Sequence, residues 1–371
     1  MSGSMGSSGR GPTGTGRRGP TLMAREIAEI PAVVERTLRD GAADLDDVAA
    51  AIARRAPRFV LVAARGTSDH AGIYARYLIE TTIGIPVGLA AASVTTIYQA
   101  PLRWDDVLLV AVSQSGAGPD VAAVVDAARA AGAPTLAVTN EPSSALAAAA
   151  ELVLPLHAGE ERAVAATKTY VASLAVVAGL VARLAAPLAA GASWASALSD
   201  LPDELSRTLE VAGAWVRGPG AACVDELAAA DEALVVSRGH NFATALEVAL
   251  KLKETGRIFA DGYSTADLLH GPLAVAGPDL PTIAFRPDGP AGVAVDEALV
   301  VARRSGTLPW TIGGSEVAGR DHALVVAPGL SEPLTPLAYV LPGFLLAEAT
   351  ARARGRDPDA PPGLAKVTRT R

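Results

Sequence analysis

A chain of 371 residues, half of them apolar, is long enough for one large or two medium domains. Ala, Val and Leu dominate and only 4% of residues are aromatic, which suits helices over a buried parallel sheet better than an all-β sandwich. The formal net charge of −7, with both signs interspersed, argues against nucleic acid or an anionic membrane as the main partner, yet leaves room for a local phosphate pocket.

Residues 1–22 are rich in Gly, Ser, Arg and Pro and have no apolar signal core, so a disordered tail is expected, with Met23 as an alternative start. A helical pattern covers 24–38, with Pro31 as a break, and another covers 44–55. An apolar run of strand length at 58–64 ends in Arg65-Gly66-Thr67-Ser68, and a helix follows over 70–83. Strands are expected at 87–91 and 107–112, the second running into Ser113-Gln114-Ser115-Gly116. Then come a helix at 120–131, strands at 135–138 and 152–155, and a long helix at 168–188. That last segment is Ala-rich and holds Arg183; it reads as a buried core helix, and no stretch reads as transmembrane. With no secretory signal either, a cytoplasmic location is expected.

A helical connector at 196–216 separates this half from a second alternating series. Strands are expected at 233–237, 282–285, 307–312 and 323–326, with helices at 242–256, 292–304 and 337–352. Such alternation means βαβ units, an α/β fold with parallel sheets. Leu61-Val-Ala-Ala-Arg-Gly66 is echoed by Leu234-Val-Val-Ser-Arg-Gly239, which fits two similar halves at roughly 45–190 and 215–350. The expected organisation is a tail at 1–22, a first unit with N-terminal helices at 23–195, and a second unit with a C-terminal tail at 196–371.

Ligands of open parallel sheets bind beyond the carboxyl ends of the strands. Two turns there are chemically loaded, Gly66-Thr67-Ser68 and Ser113-Gln114-Ser115-Gly116. Each offers hydroxyls and a glycine before a helix whose free N–H groups favour an anion. Simple N-capping explains either turn alone; the pair within one half favours anion binding. The glycines match neither a phosphate-binding P-loop nor a dinucleotide fingerprint.

Residues 245–272 hold the densest cluster of functional residue types. Lys251 and Glu254 share a helix face, as a surface ion pair or as a cation beside a carboxylate placed for proton transfer. His270 sits before Gly-Pro in a loop, where an ordinary histidine is the simplest reading. The five histidines, at 70, 157, 240, 270 and 322, show no metal-ligand spacing. The one cysteine, Cys223, excludes an intramolecular disulfide and a cysteine-based metal site, and is expected to be a small buried residue.

Six stretches together resemble the SIS (sugar isomerase) domains of the isomerase half of glucosamine-6-phosphate synthase. They are Arg-Gly-Thr-Ser (65–68), Ser-Gln-Ser-Gly (113–116), Val-Ala-Ala-Thr-Lys (164–168), Ala-Leu-Glu-x-Ala-Leu-Lys-Leu-Lys-Glu (245–254), Leu-x-His-Gly-Pro-Leu-Ala (268–274) and Leu-Ala-Lys (364–366). A Met-x-x-Glu-Ile-x-Glu-x-Pro entry at 23–31 is similar too. The resemblance implies a double SIS fold, with Thr67, Ser68, Ser113, Gln114, Ser115 and nearby Thr167 binding a sugar 6-phosphate, and Gly66, Val164 and Ala365 beside the sugar. It implies that Glu254 moves a proton between C1 and C2, that His270 opens the sugar ring at the site of a neighbouring subunit, that Lys366 contacts the open-chain carbonyl, and that Lys251 supports Glu254. One carboxylate suffices for such a proton shift, and a remote phosphate anchor supplies orientation.

Departures from the synthase refine the expectation. The chain begins Met-Ser-Gly-Ser rather than with a glutaminase domain and its catalytic cysteine. Ala166 and Gly118 stand where synthases usually carry Ser and Thr. Val-Ala-Ala-Thr-Lys and Ser-Gly-x-x-Pro-Asp (115–120) are more similar to stand-alone SIS-type glucosamine-6-phosphate deaminases. The expected reaction is therefore glucosamine 6-phosphate plus water giving fructose 6-phosphate and ammonium, with no metal or organic cofactor, in a homodimer. Ammonia-dependent synthesis, deamination of a galactosamine phosphate, and a non-catalytic sugar-phosphate sensor stand as alternatives.

Overall fold

The computed structural model describes residues 19–188 and 191–367. Most of the expected N-terminal tail lies outside these residues. Its boundary moves, because Thr21 is already structured: its hydroxyl accepts the Ala24 N–H at 3.0 Å and donates to Glu348 at 2.9 Å.

Helices α1 (Leu22–Ala28), α2 (Ile30–Asp40) and α3 (Ala42–Arg55) open the chain. Pro31 occupies the first turn of α2, where its missing N–H costs nothing, so it starts a helix rather than merely breaking one. The first half continues with β1 (Phe59–Ala63), α4 (Thr67–Thr82), β2 (Val87–Leu89), α5 (Ala92–Thr96) and β3 (Val107–Val112). It closes with α6 (Pro119–Ala130), β4 (Thr135–Thr139), α7 (Ala145–Ala149), β5 (Leu152–Pro155) and α8 (Lys168–Ala185). Helix α9 (Leu201–Arg217) is the connector, and α10 (Ala221–Ala229) follows it. The second half runs β6 (Glu232–Ser237), α11 (Phe242–Lys251), β7 (Phe259–Ser264), α12 (Thr265–Leu269), β8 (Thr282–Arg286), α13 (Pro290–Arg304), β9 (Trp310–Gly313), β10 (Ala323–Val325) and α14 (Thr335–Ala353).

Each half builds one five-stranded, all-parallel sheet, in the order β2-β1-β3-β4-β5 and, read in the same sense, β7-β6-β8-β9-β10. The halves thus share one topology, and the echoed segments 61–66 and 234–239 end equivalent strands, β1 and β6. Strands β3 and β4 are almost wholly buried because helices cover both sheet faces. Two helical segments, Lys168–Ala185 and Glu332–Ala353, are long and apolar enough to cross a bilayer, yet 83% and 89% of them is buried inside the protein. A hydrophobic core containing Ile27, Tyr170, Trp215, Val248 and Phe344 joins the halves.

The expected strands and long helices form. Strand β7 was not legible, because Asp261 and Gly262 interrupt any apolar run; it forms as an edge strand through six-residue pairing with β6. Helix α10 is short and was also missed, though its Cys223 is buried as expected. Helix α4 starts at Thr67 rather than at 70, which places Thr67 and Ser68 in its first turn.

Candidate active site

The site is built at the carboxyl end of the first sheet. Strand β1 ends at Ala63 and the chain reverses through Gly66, whose φ of 55° and ψ of −129° favour glycine, into α4. Strand β3 runs into the second turn, where Gly116 has φ 58°. A methyl group there would sit 2.0 Å from Ser144 Oγ, so only glycine fits. Side chains fold back to hold this turn: Ser113 Oγ accepts the Gly116 N–H at 3.2 Å, and Ser115 Oγ accepts the Ala117 N–H at 3.3 Å.

The two turns flank a cavity of about 360 Å³. Gly66, Thr67, Ser68, Ser113, Gln114, Ser115, Val164, Glu254, Ala365 and Lys366 all line it. Ten of the expected site residues, drawn from five stretches of sequence, therefore meet in one place. Three do not line it. Lys251 lies behind it, fully buried. Thr167 is also buried and does not line the cavity, and its Oγ1 has no hydrogen-bond partner among the described residues. His270 caps the end of α12 in the second half, exposed and outside the cavity.

Glu254 belongs to a π turn, Leu252–Gly256, that widens the end of α11 and is closed by Arg257 at φ 54°. Lys251 Nζ donates to Glu254 Oε2 at 2.5 Å and to Thr67 Oγ1 at 3.1 Å, and lies 3.4 Å from Glu247 Oε1. Glu247, also fully buried, accepts from Thr67 Oγ1 at 3.1 Å and lies 2.7 Å from His70 Nδ1. Burial disfavours the Lys251 charge, but Glu247 and Glu254 outweigh it and push its pKa above the usual lysine value. Lys251 therefore ties the turn of the first half to the Glu254 carboxylate of the second. That contradicts the reading of Lys251 and Glu254 as a surface pair.

The chain's last described segment returns to this site. Asp359 accepts the N–H groups of Leu22 and Met23, and its carbonyl accepts from Val164 N–H at 3.2 Å. Lys366 then donates to Glu161 Oε2 at 2.8 Å and to the Ala163 carbonyl at 2.7 Å. Glu161 also accepts the N–H groups of Thr167 and Thr169 and the Thr169 hydroxyl. Burial raises the Glu161 pKa, but Lys366 and these donors outweigh burial and leave it below the ordinary carboxylate value. The tail that the sequence groups with the second half thus completes the cavity of the first.

Sequence reasoning missed Glu161, Glu247, His70 and the Arg65–Asp120 pair, whose Nε and Oδ2 lie 2.9 Å apart on the cavity wall. Glu247 had a signal, its four-residue spacing from Lys251. Glu161 had none, since only the fold brings the tail to it.

The SIS domain model matches residues 55–183 and 226–315, more than half of the chain. The chain belongs to the SIS domain family. It is 36% identical over 360 residues to the glutamine–fructose-6-phosphate aminotransferase (isomerizing) of Symbiobacterium thermophilum, covering 93% of this chain and 58% of that protein. This SIS chain therefore spans little more than half the length of the curated relatives it matches. A solved structure from Silicibacter pomeroyi DSS-3, provisionally assigned as a phosphosugar isomerase, is 34% identical with a TM-score of 0.81, covering 92% of this chain and 100% of that one. The C-terminal domain of glucosamine-fructose-6-phosphate aminotransferase from Francisella tularensis, 24% identical with a TM-score of 0.82 over 94% of this chain and 100% of that one, shares the double SIS fold.

Proposed function

We propose that this chain isomerises and deaminates an amino-sugar 6-phosphate, taking glucosamine 6-phosphate and water to fructose 6-phosphate and ammonium. The observation that carries this reading is the convergence of the two hydroxyl turns, Glu254 and Lys366 on one cavity. The turns bind the 6-phosphate through Thr67, Ser68, Ser113, Gln114 and Ser115. Glu254 takes the proton from C2 of the open-chain sugar and returns it to C1, which converts the amino-aldose to a ketose imine. Water adds at C2 and ammonia leaves. Lys251 holds Glu254 and Thr67 in one geometry, coupling the proton-moving group to the phosphate anchor. Lys366, paired with Glu161, presents an N–H donor to the C1 oxygen.

His270 is exposed and outside its own chain's cavity, which supports a homodimer in which one subunit lends this histidine to the ring-opening step of the other. Mixing inactive Glu254→Gln and His270→Asn proteins restores activity if sites are shared in this way; no restoration removes the shared site. The reaction itself is tested by following fructose 6-phosphate and ammonium from glucosamine 6-phosphate, beside galactosamine 6-phosphate. The reverse mixture of fructose 6-phosphate with ammonium or glutamine completes the assay. Production of glucosamine 6-phosphate that requires glutamine would overturn the deaminase reading. Formation from ammonium faster than breakdown would reassign the chain as a synthase.

A further inference from the structure

The wall of the cavity carries one cation to which the preceding roles give nothing to do. Arg65 follows β1, directly before Gly66, and its side chain is half exposed. Its Nε is held 2.9 Å from Asp120 Oδ2, and the Asp120 side chain is 1% exposed in the first turn of α6. Asp120 is itself fixed, since its Oδ1 accepts the Val121 N–H at 2.9 Å. Among the described residues no other hydrogen bond engages the guanidinium, so both terminal nitrogens keep their donors. The other cation of the cavity, Lys366, directs two of its three N–H donors to Glu161 and the Ala163 carbonyl, and the proposed function gives the third to the C1 oxygen.

The two turns bring hydroxyls and an amide to the cavity but no charge. A phosphate dianion bound by the turns alone would rely on neutral donors and helix N-termini, and a cation beside them adds a charge-assisted contact. A guanidinium offers two parallel donors in the geometry that a phosphate accepts. Gly118 leaves the space beside Asp120 free of a side chain.

We infer that Arg65 is a phosphate-binding residue of this cavity, oriented through Nε by buried Asp120 and closing with its terminal nitrogens on the phosphate oxygens. Arg65 thereby makes the site select for a phosphorylated sugar. This rests on the phosphate site of the proposed function.

The probe is glucose 6-phosphate, which has the phosphate but no amine to lose, titrated calorimetrically into the full chain beside unphosphorylated glucose. Removing Arg65 alone would strand a buried Asp120 charge, so the variant is Arg65→Met with Asp120→Asn, which removes both partners. Its affinity for glucose 6-phosphate is expected to fall about tenfold or more, the loss of a charge-assisted contact that is partly solvated. Arg65→Lys, which keeps the charge without the fork, is expected to fall between the two, and the response to glucose is unchanged throughout. If the double variant does not fold, as judged by circular dichroism, Arg65→Gln measured in the same way decides. Affinity within about twofold of wild type overturns the inference and leaves the phosphate site standing. A wild-type chain that binds glucose 6-phosphate no better than glucose overturns the phosphate site, and the inference with it.

Discussion

The two halves of the molecule have the same strand order and opposite fates at their crevices. In the first, Gly66 faces open space and the crevice between the β1 and β3 turns is an accessible cavity. In the second, the equivalent turns follow β6 and β8, and the Glu332 carboxylate lies against both. A methyl group at Gly239 would sit 3.1 Å from Glu332 Oε1, and one at Gly289 3.0 Å from Oε2. The position that matches the proposed phosphate turns of one half is filled by the protein's own carboxylate in the other. The same segment ties the halves together: Pro333 accepts from Tyr74 Oη at 2.9 Å, and His240 lies between Glu332, at 3.5 Å, and Thr81, at 3.3 Å. A duplicated topology thus supplies two crevices, and side chains decide which one is a site and which one is a joint.

Substitutions can break this contrast. The largest effect is expected for Glu254→Gln, which should lower glucosamine 6-phosphate turnover by roughly 10²–10⁴-fold with little change in fold, by circular dichroism. Intact turnover would remove Glu254 as the proton carrier. Next, Lys251→Met strands Glu247 and Glu254 without their cation, and a stability loss of about 3–5 kcal/mol is expected in urea titrations. A loss below about 1 kcal/mol would mean that the buried cluster does not hold the halves as described.

The equivalent glycines sharpen the comparison directly. Gly66→Ala adds only backbone strain, roughly 1–3 kcal/mol. Gly239→Ala adds contacts 3.0 Å from Ala291 Cβ and 3.1 Å from Glu332, so about 2–4 kcal/mol is expected in the same titrations. Equal losses would mean that the second crevice is as open as the first.

The Glu161–Lys366 contact should impose an acid limit on the tail. The folded Glu161 pKa lies below its ordinary 4.5, so its contribution is full above about pH 4.5 and is lost as pH falls through the folded value. Proteolysis of the C-terminal tail should accelerate below that pH in wild type, whereas Glu161→Gln should release the tail at neutral pH. An acid-insensitive wild-type tail would contradict this. The smallest effect is expected for Glu332→Gln, which should leave KM and kcat for the phosphosugar within about twofold. A larger change would make the second crevice part of the site.

Much of this was legible in the sequence, because it is written in local runs. The strands β1 and β3 are continuous apolar segments, β4 and β8 have apolar centres between polar ends, and their alternation with helices fixes parallel sheets. The turns at 66–68 and 113–116 and the helix at 245–254 carry their hydroxyls, carboxylates and lysines at fixed spacing, and the resemblance to SIS domains rests on those stretches. What was not legible depends on contacts between distant segments. Strand β7 needs β6 beside it, and Glu161 needs a tail about two hundred residues away, a separation no local pattern encodes. The sequence by itself determined an α/β duplication and the chemical inventory of one site. Only the tertiary structure decided that Lys251 is buried rather than on the surface, that the tail closes the first cavity, and that Glu332 fills the second. Burial and charge pairing are properties of neighbours in space, and those neighbours are chosen by the fold.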